Sequence, residues 1–178
     1  MRQQSFDESG HYWQNLPRFL NASTLTGQIR TSPDDFRVDE QLSFAPTGSG
    51  EHVYLNVTKV NTNTKWLAEQ FAKHASVKKH DIGYAGLKDR YARTSQWFSV
   101  YLANHPEPDW SAMQNENLII NERTRHKKKL RRGCVKQNHF RIVVAHVTKF
   151  TNEFGRRVEK IQEKGFPNYF GPQRFGKN

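Results

Sequence analysis

The chain has 178 residues and 20.8 kDa, a net charge of +11, a pI near 9.9 and an apolar share of 35%, which fits one domain or one domain with a tail. The cationic surplus points to a polyanionic partner, RNA or DNA ahead of an anionic membrane, and no run approaches the ~18 apolar residues that a membrane-spanning helix needs. Twelve Phe, six Tyr and four Trp supply core bulk and exclude wholesale disorder, while the single Cys134 and the lack of an apolar leader in Met1–Phe19 give the expectation of a cytoplasmic protein without disulfides.

Residues 1–26 are polar with scattered aromatics and are expected to form an irregular arm. "GQIRTSPDDFRVDEQLSF" then alternates as two short strands, Gln28–Thr31 and Phe36–Leu42, broken at Ser32-Pro33. After the turn "APTGSGEH", the stretch "HVYLNVTKV" has the period of two of a half-buried strand. Asn63 is placed to cap a helix running to about Ala75, with Leu67, Phe71 and Ala75 on one stripe and Trp66 beside it. Gly83–Leu87 and Ser95–Leu102 read as strands flanking a Lys-Asp-Arg turn, "NHPEPDW" as a loop, Asn117–Arg123 as a short strand and "HFRIVVAHV" as a clear one. A second helix is expected over Thr151–Lys164, with Phe154, Val158 and Ile161 at helical spacing and Gly165 as its cap. About six strands and two helices in mixed order make an α+β fold with a mixed, largely antiparallel sheet.

Six cations fall within eight residues: Arg125, Lys127, Lys128, Lys129, Arg131 and Arg132. A solvated loop face is the plain reading. The net charge favours a phosphate-binding hairpin, in which six contacts to single-stranded or loop RNA would give log K a slope of about −4 against log salt. The eight histidines are dispersed, Cys134 and His139 stand alone, and neither C-x-x-C nor H-E-x-x-H occurs, so no metal site is expected. No G-x-x-x-x-G-K-[ST] phosphate loop is present either. Asp89 is the remaining candidate. On local pattern its Gly-Leu-Lys-Asp-Arg setting is an ordinary turn, but a carboxylate within a cationic RNA site can also act as nucleophile or base at a nucleotide without a metal. Such chemistry requires the base to leave its stack, at a cost of a few kcal/mol.

"GYAGLKDRYARTSQWFSV" (Gly83–Val100) closely resembles the catalytic motif of the TruD family of tRNA pseudouridine synthases. Four further stretches resemble that family in the same order: Ser32–Glu40, Gly48–His52, Arg125–Ile142 and Pro167–Gly176. The resemblance implies an isomerase that converts uridine to pseudouridine in tRNA, at position 13 in bacterial members. It would break the N-glycosidic bond, turn the uracil and rejoin it through carbon, with no metal or organic cofactor. It also implies that Asp89 is the catalytic acid, with Arg30 in the place of a usual Lys as its basic partner. Asn138 and Phe140 match an Asn-x-Phe whose ring packs on the target base. Tyr91 stands where the family usually has His, Gln137 where it has Gly, and Pro172 varies within the last motif. By the same resemblance, residues 27–178 are expected to be the N-terminal part of a longer catalytic domain. A non-catalytic RNA-binding module is the alternative reading.

Overall fold

The computed structural model describes residues 16–21, 25–103, 105–148, 152–167 and 169. Most of the expected N-terminal arm and all but a few residues of the Pro167–Gly176 motif therefore lie outside the described residues. The chain divides into two compact units, Gly27–His146 and Met1–Thr26 with Val147–Asn178.

The larger unit is built on a sheet. Its strands are β1 (Gln28–Ile29), β2 (Phe36–Leu42), β3 (His52–Val60), β4 (Ile82–Tyr84), β5 (Arg93–Tyr101), β6 (Leu118–His126), β7 (Val135–Ile142) and β8 (Val144–Ala145), with helix α1 (Thr64–His74) between β3 and β4. The main sheet runs β6-β3-β5-β2-β7, with β4 on β5 beyond the end of β2, while β1 and β8 form a separate two-stranded ladder. Five of the six pairings are antiparallel and β2–β5 is parallel, so the sheet is mixed and largely antiparallel. The strand expected over "HFRIVVAHV" begins earlier, at Val135, and is broken at Val143, whose N–H turns to the Asp35 carbonyl (2.8 Å).

The alternation in β2 places Phe36, Val38 and Glu40 inward, with Leu42 buried beyond a register shift, and β3 does the same with Val53, Leu55, Val57 and Lys59. Leu67 and Phe71 of α1 close over Leu55, Val57 and Phe98, and the Trp110 ring meets Phe71 edge-on at 5.9 Å. Trp110 belongs to a short 3-10 turn, Trp110–Met113, where the sequence reads as loop. The helix starts as expected: Asn63 Oδ1 accepts from the N–H groups of Lys65 (2.8 Å) and Trp66 (3.2 Å). Opposite the helix, Leu42, Tyr54, Ala85, Trp97 and Leu130 form a second small core.

In the smaller unit, helix α2 (Asn152–Lys164) ends at Gly165, which takes φ 72° and donates to the Ile161 carbonyl (2.8 Å). Phe154, Val158 and Ile161 line a cavity of about 520 Å³ with Leu16 and Phe19, and Arg157 donates to the Asn21 carbonyl (2.7 Å). No helix among the described residues is long and apolar enough to cross a membrane.

Candidate active site

The loop between β4 and β5, residues 85–92, carries Asp89 and is fixed from several directions. Gln96 of β5 donates to the Gly86 carbonyl (3.3 Å), and the same side chain accepts from the Thr64 hydroxyl (2.9 Å). Thr64 in turn accepts from the Lys88 N–H (3.2 Å), so the first turn of α1 holds the loop backbone. Lys88 is buried and pairs with Glu40, whose other carboxylate oxygen accepts from the Trp97 N–H (3.1 Å). Lys59, fully buried, donates to the main-chain carbonyls of Thr62 (2.6 Å) and Asp89 (3.3 Å). The stem is pinned as well, because the Gly133 N–H reaches the Ala85 carbonyl (3.0 Å).

Asp89 itself meets Arg30: Nη2 lies 3.1 Å from Oδ2, with the two side chains 31% and 28% exposed. Arg30 follows β1 and takes a left-handed conformation, φ 62°. Its guanidinium stacks 4.0 Å from the centroid of Phe36, and Phe36 meets Phe140 edge-on at 6.1 Å. The register places Phe140 opposite Val38 and Asn138 opposite Glu40, on the sheet face that bears the inward stripe of β2. Carboxylate, guanidinium and two phenyl rings thus form a connected series, ending in a Phe140 ring that is 60% exposed and free to stack on a planar ligand. Asn138 shares that face and is exposed. Phe140 also borders a cleft of about 490 Å³ lined by Arg37, Arg93, His139 and Arg141.

Of the cations flanking Asp89, Lys88 pairs with Glu40, and Arg90 is exposed beside Asn61 and Trp66. One sequence expectation changes: the basic run is not a hairpin. β6 and β7 lie at opposite edges of the sheet, so residues 127–134 form a strap crossing its end. Leu130 anchors this strap, 1% exposed, with its N–H on Ser99 Oγ (3.0 Å), and the Lys128 carbonyl accepts from the Tyr54 hydroxyl (2.8 Å). The six cations are not equivalent. Arg125 pairs with Glu107 and donates to the Gly50 carbonyl, Lys129 donates to the His80 carbonyl, and Lys127, Lys128, Arg131 and Arg132 are exposed.

Sequence reasoning missed Lys59, Glu40, Thr64 and Gln96, all of which hold the loop. For two of them a signal exists: Glu40 and Lys59 are charged residues at inward positions of alternating strands, where apolar residues belong.

The tRNA pseudouridine synthase D (TruD) family model matches residues 18–178. Over 162 residues the chain is 49% identical to a tRNA pseudouridine synthase D of Methylococcus capsulatus, covering 91% of this chain and 46% of the relative. It is 46% identical over 166 residues to the protein of that name from Cellvibrio japonicus, covering 91% and 49%. The chain therefore spans about half the length of these curated relatives. A solved structure described as a TruD protein of Methanosarcina mazei superposes with a TM-score of 0.72 at 28% identity, over 88% of this chain and 36% of that one.

Proposed function

The chain belongs to the tRNA pseudouridine synthase D family, and on that premise we propose that the protein is a cytoplasmic isomerase converting uridine to pseudouridine in tRNA, at position 13, with Asp89 as its catalytic group. The observation that carries this reading is the Asp89–Arg30 ion pair beside an exposed Phe140. Arg30 orients the carboxylate toward the open side of the loop, and Phe140 offers a stacking surface for the flipped uracil. The Asp89 carboxylate acts on the ribose, as nucleophile or as base. The N1–C1′ bond breaks, the uracil turns, C5 bonds to C1′, the C5 proton departs and N1 takes one up. The reaction is an isomerisation and consumes no co-reactant. Phosphates farther along the bound tRNA fall to the exposed cations of the strap.

The test is to incubate the full-length protein with unmodified tRNA and map pseudouridine by position. Conversion at position 13 that is lost in Asp89→Asn, with the tRNA dissociation constant within about threefold, supports the proposal. Salt-sensitive tRNA binding with no pseudouridine formed supports the non-catalytic RNA-binding reading instead.

A further inference from the structure

The inward stripe of β3 carries Val53, Leu55 and Val57 and then, one position on, Lys59, with no exposed surface at all. An aliphatic residue would fill that position without desolvating an ammonium, and replacing buried charges by apolar groups is often neutral or stabilising. Among its described contacts, Lys59 donates to two main-chain carbonyls rather than to a carboxylate. One belongs to Thr62, in the turn that leads into the Asn63 cap of α1. The other belongs to Asp89 itself. Its neighbours in charge are Lys88, which is paired with Glu40, and Asp89. Burial and the Lys88 charge push its pKa down to about 8, so the fold bears a cost to keep an amine here.

We propose that Lys59 is a positioning residue for Asp89. Its buried Nζ ties the main chain of the catalytic residue to the turn before α1, and so fixes where the carboxylate starts from when it meets the ribose. Arg30 holds the carboxylate from the open side while Lys59 holds the same residue's carbonyl from within. Neither contact substitutes for the other: Arg30 sets the direction of the side chain, and Lys59 sets the location of the backbone that bears it. This inference rests on the assignment of Asp89 as the catalytic group.

Full-length Lys59→Met and Lys59→Gln are compared with the wild type. Met keeps the volume without a donor, and the shorter Gln keeps polarity without reaching the Asp89 carbonyl. Pseudouridine formation and tRNA dissociation constants are measured at several temperatures well below each variant's unfolding midpoint. The expected result is a loss of about 100-fold in kcat, as for a ~1 Å misplacement of a reacting group, with tRNA affinity unchanged and the loss persisting on cooling. Turnover within twofold of wild type in either folded variant overturns the proposal. So does a loss that tracks the unfolded fraction and vanishes on cooling, or failure of both variants to fold, because either outcome assigns the ammonium to the fold alone. A wild-type protein that makes no pseudouridine overturns the underlying function and this role with it, whereas an active wild type with active variants overturns this role only.

Discussion

Arg30 keeps a non-glycine backbone in the left-handed region, a conformation that costs an L-residue roughly 1–2 kcal/mol. What offsets it is the pair of contacts made by its planar head, a carboxylate at one edge and the Phe36 ring against one face. A planar guanidinium meets both demands at once, whereas a compact ammonium held on the carboxylate cannot also lie flat on the ring. Arg30→Lys is therefore expected to retain pseudouridine formation within about tenfold, and Arg30→Met to lose roughly 100-fold in kcat with tRNA affinity kept. Steady-state kinetics and filter binding on the two variants separate these outcomes; equal activity in all three proteins would remove Arg30 from the site. The Glu40–Lys88 pair works differently because both side chains are buried. Removing one partner strands the other, so Lys88→Met is expected to lower unfolding stability by about 3–5 kcal/mol, read as a drop in the urea midpoint.

At the scale of elements, the strap between β6 and β7 turns a charge run into a spatial arrangement. Only its exposed cations are placed to release counterions from RNA. Alanine at Lys127, Lys128, Arg131 or Arg132 should each reduce the salt slope of tRNA binding by about 0.7. Arg125→Ala should leave that slope nearly unchanged, because Arg125 is engaged with Glu107. Titrations of tRNA binding against sodium chloride check both statements. The strap also presses on β4. A methyl group at Gly83 would collide with the Leu130 carbonyl oxygen and Ser99 Oγ, so Gly83→Ala is expected to cost about 1–3 kcal/mol. Most elements were legible in the sequence, since β2, β3 and α1 announce themselves by period and by the Asn63 cap. The strap was not, because a basic run between two strands looks the same whether the strands pair with each other or stand at opposite edges. That distinction lives in the sheet order, which local pattern does not encode. The Arg30–Asp89 contact became visible only through the family resemblance, and the Lys59–Asp89 contact only through the fold, although the alternation of β3 marks Lys59 as an inward charge.

For the whole molecule, two perturbed groups among the described residues act on stability in opposite senses as pH rises. Unfolded, Lys59 binds its proton up to an ordinary pKa of 10.5, but folded only up to about 8. The unfolded state binds more protons between these values, so stability rises with pH across that window, by roughly 3 kcal/mol from this residue. Tyr54, whose pKa burial pushes up from 10.0 to about 12, holds its proton longer when folded, and stability is lost as pH climbs from 10 to 12. Urea unfolding at pH 7 to 11 should show a rise above pH 8 that turns over near pH 10, and Lys59→Met should lack the rise. The contacts that fix Asp89 also share one property with kinetic meaning. They join Arg30 to Asp89, Glu40 to Lys88 and Lys59 to Asp89 across 59, 48 and 30 residues of chain, and the parallel β2–β5 pair that sets their common frame is non-local too. Chain closure over such distances comes late and slowly in folding. An intermediate with α1 formed and β4 paired to β5, a pairing that spans only a short loop, would contain every residue of the constellation and none of its geometry. Catalytic competence in a refolding experiment should accordingly appear with the last, slowest phase, after helical signal has already recovered.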